Sequence, residues 1–493
     1  MTRPTAKDTL SLVVVMTVFA GLYLSHSFLR FRNFEARGYD LGIFDQAVRR
    51  YAQFEAPIVP IKGEDFHLLG DHFHPIIAVL APLYWIWDDP RVLNVALVVL
   101  LVSAAVPVYF VVRGWFSHRI GLLAAGALLA WWPFQVFIDW DFHEIAFAVP
   151  VIGWVIWAVE RRRPWTAVVL SSFLLLVRED MGATCLAIAA VLLIKRHWFP
   201  AGCLMLLGLT GLWVAVGVVI PHFAPDGEFA YWDYSALGPS AGAAAVFLLT
   251  QPWNALPILV DHPLKIALVA AHLVPLWFLP LASPYTIIAL PMLLSRLFND
   301  RLTVWGLVYH YDATLSVIFL LAAFDTLRRI RGRSGTRGKT FRPATILPIS
   351  LIALSLGGGL ILQFATEREH HIFPLHWTYT GQNWHMSERA QAHQRAVDLI
   401  PAGACVEAAD TAAPHLTHRS YVGLAGTLDE DRANWLIIDT WVDELGGTDP
   451  KTPDQALARA ERLDFEAVTA DDEGLWLLHR DIPNHRTCTE YVD

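Results

Sequence analysis

A chain of 493 residues that is 55% apolar and only 17% charged, with a positive mean hydropathy, carries too few charges for an ordinary soluble domain, where roughly a quarter of residues are charged. That apolar excess needs lipid to hide in, and the 20 Trp and 27 Phe suit membrane interfaces and lipid-facing helices. The net charge of −9 excludes little by itself, but basic runs interleaved with aromatics are missing, so the bilayer is the expected partner and nucleic acid is not.

The first apolar run, Thr9 to Leu29, follows Arg3 and Lys7. It is long for the core of a signal peptide, and Ser25-His26-Ser27 offers no small-x-small cleavage pattern, so it reads as a retained span. The segment Pro75 to Trp87 is interrupted by Pro82 and ends in Asp88-Asp89-Pro90, which predicts an interfacial or re-entrant helix. Further apolar stretches lie near 91–112, 120–138, 145–159, 165–177, 182–194, 199–220, 264–280, 284–298, 311–327 and 344–364. With the first they give about eleven candidate spans, several shorter than the roughly 20 residues a perpendicular helix needs.

Basic residues orient these spans. With the N-terminus in the cytoplasm, the cytoplasmic loops hold Arg113 to Arg119, Glu160 to Arg163, Lys195-Arg196 and Arg328 to Arg342, the most basic stretch of the chain. The opposite loops are 30–74, 139–144, 178–181, 221–263 and 299–310, and the first of them carries Arg30, Arg32, Arg37, Arg49 and Arg50 against the rule. The expected fold is mostly α. A polytopic transmembrane helix bundle covers residues 1–365, with interfacial helices in an external loop over 31–90, and a small extracytoplasmic α/β domain covers 366–493. The expected location is the plasma membrane.

Within the tail, the pattern predicts a polar helix from Ser387 to Leu399, a strand at Ala404–Ala408 and a helix near Ala412–Thr417. A strand at Trp435–Asp439, a helix over Pro453–Leu463 and a hairpin of Phe465–Thr469 with Leu475–Leu478 follow. Cys185 and Cys203 lie in apolar segments and read as packing residues. Cys405 and Cys488 can pair if the tail lies outside the cytoplasm, and two unpaired small residues account for them equally well.

Once the topology is drawn, acid and imidazole groups gather on one side. They are Tyr39-Asp40-Leu41-Gly42-Ile43-Phe44-Asp45-Gln46, Asp71-His72-Phe73-His74-Pro75, Asp141-Phe142-His143-Glu144, Arg178-Glu179-Asp180 and His310-Tyr311-Asp312. Ionisable groups at span ends beside apolar surroundings are costly unless paired or hydrated, so their convergence points to a water-filled functional cavity. Asp40 is the first candidate for a catalytic base and Asp45 the second; helix capping accounts for Asp40 as well. His72, His74, His143 and His310 suit phosphate binding or metal ligation beside their neighbouring acids, and interfacial solvation accounts for any one of them. Arg178 reads either as a phosphate ligand or as an ion-pair partner within its own tripeptide. The aromatic loop from Phe229 to Tyr234 suits sugar stacking or an interfacial belt.

These motifs, with Gly182 and with the tail segments Leu399 to Ala404 and Pro414 to Arg419, resemble the bacterial membrane family called domain of unknown function 2079, which looks like a branch of the glycosyltransferase-C superfamily. The chain departs from that family at Glu144, where a small residue or Pro usually follows the Asp-Phe-His motif. The resemblance implies a polyprenyl-phosphate sugar as donor, an extracytoplasmic glycan, lipid or protein as acceptor, and an early external carboxylate, Asp40 or Asp45, as base or metal-associated group. It implies substrate binding by His72, His74, Asp141, His143, Arg178, Glu179, Asp180, His310 and Tyr311. Whether a divalent cation takes part stays open. The Gly-rich phosphate loop expected for a nucleotide sugar is missing, which favours a lipid-linked donor. The competing classes are a transporter or flippase, which predicts inverted repeats and broken spans, and a non-catalytic scaffold, which leaves the acid and histidine motifs without a role.

Overall fold

The computed structural model describes residues 5–333, 341–362 and 371–482 together with Cys488. Helix α1, Ala6–Arg32, is started by a capping box in which Thr5 and Asp8 satisfy each other's backbone N–H groups, and it ends at Asn33 after Arg30 and Arg32. At 1.5 Å per residue it is about 40 Å long, more than the ~30 Å hydrocarbon layer needs.

Among the described residues, four helices are long and apolar enough to cross a membrane: Ala6–Arg32, Arg91–Trp115, Trp198–Phe223 and Pro343–Ile361. Two bent pairs, His118–Ala130 with Trp132–Asp139 and Pro252–Ile258 with Pro263–Leu273, bring the number to six if each pair is one crossing. Helices occupy every apolar stretch read from the sequence, yet several are too short to qualify: Ala148–Glu160 has 13 residues and Pro164–Leu174 has 11. Hydropathy locates apolar segments but not how far each runs before Pro, Gly or a charged pair ends it. The Met181–Ile194 helix packs against Trp198–Val214 through Gly182, where a Cβ would sit 2.6 Å from the Gly208 carbonyl oxygen, so the two backbones touch.

Two segments differ from the reading of 221–263 as a loop. Ala241–Thr250 and Pro252–Ile258 are helices whose Val246, Leu249, Trp253 and Leu256 side chains are exposed. Each is too short for a span, so length hid both. The Pro75–Trp87 segment is a 3₁₀ turn, Pro75–Leu80, followed by the short helix Ala81–Tyr84.

The tail forms a five-stranded sheet in the order β2-β1-β3-β5-β4, with β1 Cys405–Glu407, β2 Tyr421–Gly423, β3 Trp435–Asp439, β4 Glu466–Ala470 and β5 Leu475–His479. Strand β1 pairs parallel with β2 and β3, while β5 pairs antiparallel with β3 and β4. Strand β2 was not expected, because three residues ending in Gly carry no period. The helix expected near Ala412–Thr417 is only the 3₁₀ turn Ala413–His415. Cys405 and Cys488 form a disulfide across 83 residues, with 5.7 Å between their Cα atoms.

The sheet is fastened to the first long connection of the bundle. Gln46 Nε2 donates to the Val422 carbonyl at 2.8 Å, Arg432 meets Glu64 at 2.7 Å, and the Phe34 ring stacks on His415 at 3.8 Å. One end of the bundle therefore carries the sheet, and the acid and histidine motifs lie at that end.

Candidate functional site

The centre of the sheet-bearing end is the π-helical turn Gly38–Gly42, which follows α1 and leads directly into α2, Ile43–Ala52. Wide turns of this kind recur at functional sites because they re-aim a side chain. Gly38 donates its N–H to the Asp410 carbonyl at 2.7 Å, and the Tyr39 N–H meets Asp410 Oδ1 at 2.8 Å. A Cβ at residue 38 would stand 2.7 Å from the Ala413 Cβ, so only glycine allows the tail this close.

That turn presents Asp40 to His143, with 3.2 Å between Oδ1 and Nε2. The His143 ring stacks on His310 at 3.6 Å and meets Phe44 edge-on at 5.3 Å. Burial works against a charged His143 ring, but the Asp40 carboxylate more than compensates and raises its pKa. His310 goes the other way, because burial and the nearby His143 hold it well below the ordinary imidazole value. Among the described residues, its Nδ1 has no hydrogen-bond partner.

Asp141 is held on the other side of His143 by Arg30 at 3.2 Å and by the Arg37 N–H at 3.0 Å. Burial pushes its carboxyl up to about 7, against the pull of Arg30. Arg30 also lies 3.3 Å from Asp139, whose Oδ1 meets His26 at 2.8 Å, so α1 is pinned to the Trp132–Asp139 helix at this end.

A second lobe forms around Glu179, which accepts from the Phe73 N–H at 3.1 Å and meets His72 Nδ1 at 2.8 Å. Burial opposes charge on His72, yet Glu179 lifts it to about 9, and Glu179 itself is held down at about 2. The pair is an ion pair at neutral pH. His72 also stacks on Tyr231 at 4.4 Å, and Asp71 accepts from the Tyr231 hydroxyl while pairing with Lys62 at 2.6 Å. Arg178 makes two bonds to Asp180, at 2.8 and 2.7 Å, and stands 3.8 Å from Glu144. The local ion pair considered for that tripeptide is present, and Glu144 bridges it toward His143.

Not every candidate converges. Asp45 is fully buried, 3.3 Å from Arg49 and accepting from the Tyr84 hydroxyl at 2.7 Å. Five residues beyond Asp40, it is turned well away from that side chain and belongs to a separate closed network. His74 is buried beside Phe44 at 5.7 Å with an unpartnered Nδ1, whereas His72 faces Glu179, so the two rings do not share one ligand. Tyr311 lies under Arg296 at 5.4 Å, and Asp312 pairs with Arg296 and with His272 at 2.8 Å. Among the described residues, no group of three or more His, Cys, Asp or Glu side chains is arranged to hold a metal ion. Asp410, Lys62 and Arg30 were missed. Asp410 sits in the tail with no local motif, and only the fold brings it to Tyr39; burial pushes its carboxyl up to about 6.

An apolar helical bundle with a carboxylate and imidazole cluster at one end, covered by a small disulfide-closed sheet, defines a class of membrane protein with a polar site at its surface. The chain belongs to the predicted membrane protein family DUF2079, whose family model matches residues 30–475. Its fold resembles that of ArnT from Cupriavidus metallidurans, solved bound to undecaprenyl phosphate, with a TM-score of 0.53 and 13% identity over 94% of this chain and 97% of that one. The same protein in the apo state gives a TM-score of 0.52 at 13% identity, with the same coverage. The Archaeoglobus fulgidus oligosaccharyltransferase in the apo form gives 0.42 at 12% identity, over 88% of this chain and 70% of that one. No curated protein matches the chain in sequence.

Proposed function

We propose that the chain is an integral membrane glycosyltransferase that moves a sugar from a polyprenyl-phosphate donor to a hydroxyl group on the extracytoplasmic side of the plasma membrane. The observation that carries this reading is Asp40, held on its π-turn 3.2 Å from His143 at the end of the bundle where imidazole and guanidinium groups gather. A fold like that of a protein solved with undecaprenyl phosphate bound supports it.

In this reading the acceptor hydroxyl gives its proton to Asp40 as its oxygen bonds to the anomeric carbon. The bond from that carbon to the phosphate oxygen breaks, and the electron pair leaves with polyprenyl phosphate. A single displacement of this kind needs no covalent intermediate. His143 holds the Asp40 side chain in place, 3.2 Å away, and the charge growing on the phosphate is met by Arg178 and by the protonated His72. Asp141, Glu179, Asp180 and His310 complete the binding surface. With the His143 ring nitrogens engaged by Asp40 and the Asp141 carbonyl, Asp40 would be the protein ligand of a divalent cation, and the rest would come from phosphate and water. Such an ion would supply charge neutralisation at the phosphate.

The orientation rests on two supports. The run from Arg328 to Arg342 is the most basic of the chain, which supports a cytoplasmic position for it, and a disulfide persists in an oxidising compartment, which supports a sheet on the outer side. The N-terminus is then cytoplasmic and residues 366–493 form the extracytoplasmic domain. The reading is tested with purified protein, a panel of polyprenyl-phosphate sugars and candidate acceptors. Release of polyprenyl phosphate that needs Asp40 is the expected result, and a panel that is neither bound nor turned over overturns the reading. One observation favours a transporter instead, the buried Asp312–His272–Arg296 group. Asp40-independent movement of a lipid-linked sugar across vesicles would select it.

A further inference from the structure

We infer that a cleft at the sheet-bearing end of α1 binds the headgroup of an anionic amphiphile whose chain lies along α1, at a position separate from the Asp40–His143 pair.

The cleft has a volume of about 890 Å³ and opens between the last turns of α1 and the segment that follows β1. That volume suits a headgroup the size of a sugar phosphate and far exceeds a bare phosphate. Its α1 wall is Ser25, Phe28, Leu29 and Arg32. At helical spacing the same stripe runs back through Gly21, Val18, Val14 and Leu10. Val18 is 63% exposed, Val14 53% and Leu10 63%, and a Cβ at Gly21 would meet nothing within 4 Å. The stripe is therefore one smooth apolar track leading to the cleft, and α1 leaves it bare.

The opposite wall is polar. His415 and His418 line it, and the His415 ring packs on Phe31 at 4.1 Å. Three arginines, Arg32, Arg91 and Arg419, stand against two acids, Asp89 and Asp398. Arg91 is held by both oxygens of Asp89, at 2.7 and 2.6 Å, and Arg419 turns to the Ile400 and Val397 carbonyls. Arg32 is exposed and, among the described residues, bonds to the Trp384 carbonyl alone, which leaves most of its guanidinium donors for a ligand. Apolar track and surplus positive charge together describe a receptor for a chain that ends in a phosphate-bearing head.

The segment from Asp410 to Arg419 is a shared wall. Asp410 and Ala413 touch the Gly38 turn, while His415 and His418 line the cleft. The cleft and the Asp40 pair are thus neighbours with separate linings. This inference does not need the transfer reading, because its test reads occupancy alone.

The test uses the full chain in a non-ionic detergent, carrying Ser25→Cys in a Cys203→Ser background; Cys185 is buried and the remaining two cysteines are paired. The rate of maleimide modification at position 25 is measured with dodecyl phosphate, with dodecanol and with inorganic phosphate. Dodecyl phosphate is expected to slow modification about tenfold, the scale of one charge-assisted hydrogen bond added to chain burial. Adding Arg32→Glu should remove most of that protection, while Asp40→Asn should leave it in place. No protection by dodecyl phosphate overturns the inference. Equal protection by dodecanol overturns the anionic headgroup, equal protection by inorganic phosphate overturns the amphiphile, and loss of protection in Asp40→Asn overturns the separation of the two sites.

Discussion

The two ends of the helical bundle each hold a cluster of buried or half-buried charges, and the clusters are built differently. At the end away from the sheet, Glu160 accepts from Lys195 at 3.1 Å, Trp115 at 2.9 Å, Arg328 at 2.6 Å and the Tyr285 hydroxyl. Asp325 beside it accepts from Ser283 at 2.9 Å and pairs with Arg328 and Arg329. Five helical segments meet there and both acids are well supplied with donors. At the sheet-bearing end, by contrast, His74 Nδ1, His310 Nδ1 and Asp312 Oδ2 are buried without partners among the described residues. A satisfied network fastens helices together, whereas open valences close to an acid and imidazole pair are what a site keeps for its ligand.

That contrast predicts opposite outcomes for substitution. The largest effect is expected at Asp40→Asn, which should reduce sugar transfer by about 10² to 10⁴-fold, the contribution of a positioned general base, in a chain that still folds and inserts. Full activity in this variant would remove Asp40 from the chemistry. Next comes Cys405→Ser, which opens a loop of 83 residues and should destabilise the sheet by about 4 kcal/mol on the chain-entropy account. Proteolysis confined to the tail would report it. At the other end, Glu160→Ala removes the partner of Lys195, an indole and a hydroxyl, leaves Arg328 with Asp325 alone among the described acids, and should cost about 3 kcal/mol without changing donor binding. If Glu160→Ala instead abolished donor binding at unchanged stability, the division of labour between the ends would be wrong.

The sequence carried the motifs of the site better than their connections. Asp40, His72, His143, Arg178 and His310 each sit beside another charged or aromatic group in the chain, so local pattern exposed them, and the structure brings His143 between Asp40 and His310. Asp45 was drawn in by the same motif, but α2 turns it toward Arg49 and Tyr84, and only three-dimensional packing reveals that. Asp410 lies more than three hundred and fifty residues from Tyr39, with nothing nearby in sequence to mark it. The apolar stretches were legible as helices because hydropathy is local. The number of crossings was not, because bends such as the 41° break at Ala130–Trp132 depend on packing.

The smallest predicted effect tests whether the second lobe of the sheet-bearing cluster is held by charge. Glu179 raises His72 from the ordinary 6.5 to about 9 and is itself lowered from 4.5 to about 2. A raised histidine contributes fully below its unfolded value and loses that contribution as pH climbs through its folded one. A lowered glutamate contributes fully above its unfolded value and loses it as pH falls toward its folded one. Both halves of this single interaction are therefore complete only between about pH 4.5 and 6.5. Comparing the melting temperature of the natural chain with that of His72→Asn should give a plateau in that window, worth about 1 kcal/mol for a partly exposed pair, and a gap that closes as pH rises toward 9. A gap that stays constant to pH 9 would mean that stacking of His72 on Tyr231, which does not titrate in this range, holds the lobe together instead.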